Sequence, residues 1–266
     1  MSALELQHVT KTFNRDTVNE KTALDDLSLT LAEGDFVTVI GGNGAGKSTM
    51  LNAVAGLWPL DTGRVIVGGR DVTALPEYKR AAFLGRVFQD PMMGTAAGMN
   101  IVENLALAAR RGKRRGLGWE IKKAEREKYA GMLAELGLGL ETRLTSKVGL
   151  LSGGQRQALT LLMATLQKPD LLLLDEHTAA LDPKTAATVL SLSDKIIKEH
   201  ALTALMVTHN MQNAIDYGNR LIMMQDGRII LDISGEEKQK LTVEVLLKKF
   251  EEISGSGFAN DRALLS

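Results

Sequence analysis

Gly41-Gly42-Asn43-Gly44-Ala45-Gly46-Lys47-Ser48 follows the pattern G-x-x-x-x-G-K-[ST], which suits a loop that wraps a phosphate group. Glycines reach backbone angles closed to other residues, so successive N–H groups can converge on one anion. A helix starting at Lys47 adds unpaired N–H groups and about half a positive charge at its N-terminus. Lys47 is then placed to bridge β- and γ-phosphates, and the Ser48 hydroxyl to ligate Mg²⁺. Further along, Leu171-Leu172-Leu173-Leu174-Asp175-Glu176 ends an apolar run on two carboxylates. A strand buried on both faces delivers such residues to the edge of a sheet. Asp175 can there hold the Mg²⁺ shell. Glu176, one residue on and pointing differently, can polarise an attacking water.

These groups act together only if regular elements position them. Short β-branched and apolar runs at 4–9, 27–31, 36–40, 64–67, 85–88, 171–174, 203–207, 221–224 and 228–231 predict strands. The phosphate loop follows one of them and opens a predicted helix, which is the context the pattern needs. Helices are predicted at 47–55, 100–109, 122–136, 153–166 and 183–198. Within 122–136, Tyr129, Met132, Leu133 and Leu136 form one apolar stripe. The span from about 89 to 166 is mostly helical and interrupts the strand alternation, as a helical subdomain inserted into an α/β core would. Residues 242–250 suit a short helix with Val243, Leu246, Leu247 and Phe250 on one side, and 254–266 reads as a flexible tail. The basic run 110–115 (RRGKRR) reads as a solvated loop, or as a contact for lipid headgroups or a partner.

Between the two chemical motifs lies Leu151-Ser152-Gly153-Gly154-Gln155. A serine hydroxyl, two bare glycine N–H groups and a helix start make a second anion site, and equally an ordinary helix cap. With the phosphate loop and 171–176, in this order, the sequence resembles the ABC (ATP-binding cassette) ATPase family over about residues 4–233. The resemblance implies a single cassette over 1–235, followed by a C-terminal helix and tail over 236–266. Its implied fold is α/β: a P-loop core with a mixed sheet, an N-terminal antiparallel β part and the inserted helical subdomain. It implies ATP and Mg²⁺ as ligands. Phe13 is the adenine-stacking aromatic, and Gly41, Gly42, Asn43, Gly44, Ala45, Gly46, Lys47, Ser48 and Thr49 hold the nucleotide. Ser48, Gln89 and Asp175 serve the metal, while Lys47, Glu176 and His209 serve hydrolysis. Leu151, Ser152, Gly153, Gly154 and Gln155 close over the ATP of a partner subunit, and Asp182 couples the two sites. The sequence departs from the family pattern in having Phe13 where tyrosine is frequent, His177 where proline is commoner and Ala179 where serine is frequent. His177 is close enough to Glu176 in sequence to perturb it.

The family implies an ATP-induced head-to-tail homodimer working with separate transmembrane permease subunits. Residues 174–183 and 207–224 resemble cassettes of amino-acid-type importers that use an extracytoplasmic substrate-binding protein, with tryptophan or tyrosine as cargo. A soluble single-cassette ATPase of an assembly complex is the alternative. The 32 basic residues balance 32 acidic ones, so no nucleic-acid partner is expected. Cysteine is absent, which removes disulfides, thiolate metal sites and cysteine nucleophiles. Glu5 stands where a secretory signal needs apolar residues, and the densest apolar runs fall short of the ~20 residues that span a bilayer. The chain is therefore expected at the cytoplasmic face of the plasma membrane, as a peripheral subunit.

Overall fold

Two kinds of strand are expected from burial alone, and both occur. In the computed structural model, which describes residues 2–113 and 121–254, strand β1 (Ser2–Phe13) pairs with β2 (Lys21–Ala32) and with β4 (Thr62–Val67). The short β5 (Arg70–Asp71) continues this antiparallel sheet beside β4. Along β2, Leu27, Leu29 and Leu31 are buried while Ser28 and Thr30 are exposed, the alternation of a half-buried strand. The pairing runs past the predicted ends because bulges absorb its irregularities: register shifts fall between Leu6 and Val9, where His8 has φ 50.

The second kind is buried throughout. Strand β3 (Phe36–Ile40) pairs in parallel with β8 (Ala204–Val207) and β9 (Arg220–Gln225), and β10 (Arg228–Ser234) is antiparallel to β9, so this sheet is mixed. Every residue of β3 and β8 is buried. Around these strands lie α1 (Lys47–Ala55), α2 (Glu77–Arg80), α7 (Met211–Asp216), α8 (Gly235–Gln239) and α9 (Val243–Ser254). Leu246 and Phe250 of α9 join a buried cluster with Ile40, Met211, Leu221 and Met223. All of these elements belong to one compact unit, Met1–Arg80 with Ala201–Ser266.

The other unit, Ala81–His200, contains the parallel pair β6 (Leu84–Val87) and β7 (Leu171–Asp175). Between these strands the chain passes through α3 (Ile101–Ala109), α4 (Lys123–Ala134), a 3₁₀ turn (Val148–Leu150) and α5 (Gly153–Thr165); α6 (Pro183–Glu199) follows β7. On and beyond α4, Tyr129, Leu133 and Leu136 are buried and Met132 is half-buried. Of the basic run, Arg110 pairs with Glu125 at 3.2 Å, and Arg111 donates to the carbonyls of Ala164 and Gln167. Arg114 and Arg115, and the tail from residue 255, lie outside the described residues.

Candidate active site

The phosphate loop joins β3 to α1, and its glycines are required sterically. Gly41 has φ 151, and a Cβ there would lie 2.2 Å from the Met224 carbonyl oxygen. Gly46 has φ 100, and its Cβ would lie 2.4 Å from the Ala23 carbonyl oxygen. Met50 N–H donates to Gly46 at 2.8 Å to begin α1, whose N-terminus receives no side-chain cap. A helix N-terminus of this kind suits an anion. The Lys47 side chain is buried, its ammonium donating to the carbonyls of Gly41 at 2.7 Å and Gly42 at 3.0 Å. Asn43, Gly44 and Ser48 are exposed, and Gly42 and Thr49 are half-buried; Ala45 is buried, its N–H reaching back to Gly42 at 3.2 Å.

The far end of α1 has an anchor that the sequence does not advertise. The guanidinium of Arg80, 3% exposed, donates to Ala53 and Val54 at 2.8 Å each, to Leu75 at 2.8 Å and to Thr73 at 3.0 Å. The first two are carbonyls at the C-terminal end of α1, where the helix is electronegative.

Phe13 closes β1 and is half-buried, with Trp58 packed edge-on at 5.4 Å and an interplanar angle of 85°. The Lys11 ammonium lies 5.4 Å from the Phe13 ring centre. Lys21 pairs directly opposite Phe13, and its ammonium sits 2.8 Å from where a Cβ on Gly44 would be. A second lysine thus lies between the end of β1 and the phosphate loop. Trp58 and Lys21 carry no motif; only cross-strand register and the turn after α1 reveal them. His209 is exposed between β8 and α7, and Asn210 caps α7 by accepting from Asn213 N–H at 2.8 Å. Because β3 and β8 are parallel and in register, His209 and the loop leave the same edge of their sheet.

The other unit carries the remaining predicted residues. Gln89 follows β6 and the carboxylates end β7; the strands are parallel, with Val87 opposite Leu174, so Gln89, Asp175 and Glu176 share one edge. The Phe88 carbonyl accepts from Gln157 Nε2 at 3.0 Å, which fixes the base of the Gln89 loop to α5. Asp175 pairs with Arg86 at 3.3 Å. Glu176 has φ 44, a left-handed angle that costs a non-glycine residue about 1–2 kcal/mol. That angle turns its side chain away from the direction of Asp175.

His177, which adjoins Glu176 in sequence, is drawn into the core. His177 is buried, with Nε2 3.0 Å from Ser193 Oγ. Ser193 donates its own proton to Val189 at 2.9 Å, so it accepts from an Nε2–H imidazole. Burial pushes the His177 pKa down to about 4, so at neutral pH the ring places no charge beside Glu176.

Ser152 caps α5: its hydroxyl accepts from Gln155 N–H at 3.3 Å, and the Gln155 side-chain Oε1 accepts from Ser152 N–H at 3.3 Å. Leu151 is buried; Ser152 and Gly153 face solvent. A Cβ on Gly154 would strike Thr185 Cγ2 at 2.1 Å, and one on Gly153 would meet Leu181 at 3.1 Å. Asp182 caps α6 by accepting from Thr185 N–H at 3.1 Å, and the Thr185 hydroxyl, together with that N–H, holds its carboxyl below the usual range. The glycines therefore let the start of α5 pack closely on the Asp182 turn.

Ser48, Gln89 and Asp175 offer only hard oxygen donors, which suit Mg²⁺. Among the described residues no cluster of three or more His, Cys, Asp or Glu forms a metal cage.

Comparison with known proteins identifies relatives of this chain. A family model described as ABC transporter matches residues 24–179. The tyrosine transport ATP-binding protein of Clostridioides difficile is 45% identical over 251 residues, covering 93% of this chain and 98% of that protein. The methionine import ATP-binding protein MetN of Rhizobium johnstonii is 36% identical over 211 residues, 78% of this chain and 56% of MetN. Among solved structures, a post-hydrolysis ATP-binding cassette dimer bound to ADP and Pi matches with a TM-score of 0.73 at 30% identity, over 87% of this chain and 98% of that one. From its loop, its paired carboxylates and these relatives, the chain belongs to the ABC transporter family, as one of its ATP-binding, ATP-hydrolysing subunits.

Proposed function

We propose that this subunit hydrolyses Mg-ATP to drive uptake of a small solute such as an amino acid, with an aromatic one such as tyrosine first among the candidates. The observation that carries the cargo reading is the near full-length similarity to a tyrosine transport ATP-binding protein. The loop N–H groups and Lys47 bind the β- and γ-phosphates, and Phe13 stacks on adenine. Ser48, Asp175 and Gln89 hold Mg²⁺, which when bound supplies charge neutralisation at the phosphates. Glu176 accepts the proton of the attacking water, and His209 donates a hydrogen bond to the γ-phosphate. Exposed Ser152 and Gly153 supply donors to the ATP held by a second copy, so that two subunits close head to tail on two nucleotides. Asp182 couples the two sites.

No helix among the described residues is long and apolar enough to cross a membrane; the likeness to transport ATP-binding proteins supports a peripheral subunit at the cytoplasmic face. Separate permease subunits then span the membrane, and an extracytoplasmic binding protein delivers the cargo. The test uses Glu176→Gln, tagged in its native cell and solubilised with Mg-ATP, together with radiolabelled tyrosine uptake. A co-purifying multi-spanning protein, and uptake lost in the variant, are expected. A purely soluble partner with uptake intact overturns the transport reading and leaves the ATPase chemistry standing.

A further inference from the structure

Arg86 is a charged residue on a strand otherwise built from Leu84, Gly85 and Val87, all buried. It lies opposite Leu173 in the parallel pairing. With side chains alternating along each strand, Arg86, Phe88, Leu173 and Asp175 fall on one face. The contacts follow from that register. Arg86 Nη2 is 3.3 Å from Asp175 Oδ2, and both side chains are largely buried, at 12% and 16% exposure. The guanidinium carbon lies 4.5 Å from the Phe88 ring centre.

We propose that Arg86 is the resident counter-ion of Asp175, holding that carboxylate until Mg-nucleotide arrives and thereby setting the metal affinity of the site. This rests on reading Asp175 as a metal residue. An arginine does not give up its proton at any physiological pH. The pair therefore opens only by exchange with another cation, and that exchange costs the arginine its charged hydrogen bond. Phe88 gives the guanidinium a face to remain on once Asp175 is released. Phe88 immediately precedes Gln89, and its carbonyl is held by Gln157 of α5. Release of Arg86 is thus felt at the Gln89 loop.

Mn²⁺ titration followed by electron paramagnetic resonance, on the full chain with a non-hydrolysable ATP analogue, tests this without turnover. Arg86→Gln removes the competing charge and should tighten Mn²⁺ binding about tenfold, the equivalent of one charged hydrogen bond. Arg86→Lys keeps the charge without the planar fork and should give a smaller gain; it carries the test alone if the Gln variant does not fold. Asp175→Asn should weaken Mn²⁺ binding. Unchanged or weaker binding in the Arg86 variants, with the Asp175→Asn loss present, overturns the counter-ion role alone. Unchanged binding in Asp175→Asn overturns the metal reading and the inference with it.

Discussion

Arg80→Leu should be among the most damaging single changes away from the nucleotide. The native guanidinium satisfies four main-chain carbonyls, those of Ala53, Val54, Thr73 and Leu75, at 2.8–3.0 Å. Leucine fills part of the volume but donates nothing, so buried carbonyls lose their partner. Each hydrogen bond to a charged group contributes about 1.5–3 kcal/mol, with strong non-additivity when one side chain makes several. Water entering the space recovers part of the loss. A net cost of about 3–5 kcal/mol results, the range found for breaking a buried charged contact. Of a total stability of about 5–15 kcal/mol, that is a large share. At about 2–4 °C per kcal/mol for a chain of this size, the melting temperature should fall by roughly 10 °C. Urea unfolding without nucleotide measures it, with Arg80→Lys as the control. Lysine reaches the same carbonyls from a single nitrogen and should recover less than half. A loss below about 1 kcal/mol for Arg80→Leu, in the range of ordinary surface substitutions, would refute the idea that this side chain secures the end of α1.

Two further expectations use the same measurement. Gly46→Ala combines φ 100 with a Cβ 2.4 Å from the Ala23 carbonyl, whereas Gly69→Ala has φ 73 with open space around it. Gly69→Ala should cost about 1–2 kcal/mol from backbone angle alone; Gly46→Ala should cost more and also lose ATP binding, and equal costs would show that the close approach to β2 does not matter. For His177, the folded pKa of about 4 lies below the ordinary imidazole value of 6.5, so between these limits the unfolded chain binds the extra proton. Stability should therefore fall as pH drops from 6.5 towards 4, by up to about 3 kcal/mol at 1.36 kcal/mol per unit. His177→Gln should remove that part of the slope, and an identical pH dependence in the variant would show that the ring is not buried neutral.

What was legible in the sequence was whatever local pattern dictates. The bounds of β3 and α1 emerge as read, because a short run of apolar and β-branched residues and glycines on both sides of a helix leave little choice. The α-helices not anticipated, α2, α7 and α8, are short and largely polar. Two of them are secured by tertiary contacts of a single cation: Arg80 of α2, and Lys238 of α8, whose ammonium donates to the carbonyls of Tyr217 and Gly218. No periodicity announces such a helix, since its stability comes from elsewhere in the chain.

The site divides along the same line. Gly41–Ser48, Leu151–Gln155 and Asp175–Glu176 are contiguous, so their chemistry is visible in order along the chain. Trp58, Lys21, Arg86 and Gln157 are defined by which strand or helix lies opposite, and a register of one residue decides whether they meet the motif at all. Arg86 shows the difference most sharply. Eighty-nine positions separate it from Asp175, and only the parallel pairing of Leu84–Val87 with Leu171–Leu174 brings the two onto one face. A motif therefore identifies the groups that touch ATP, whereas the groups that set their charge before ATP arrives are selected by the sheet. Substitutions at Arg86 or Lys21 should accordingly alter ligand affinity in a chain whose every recognised motif is intact.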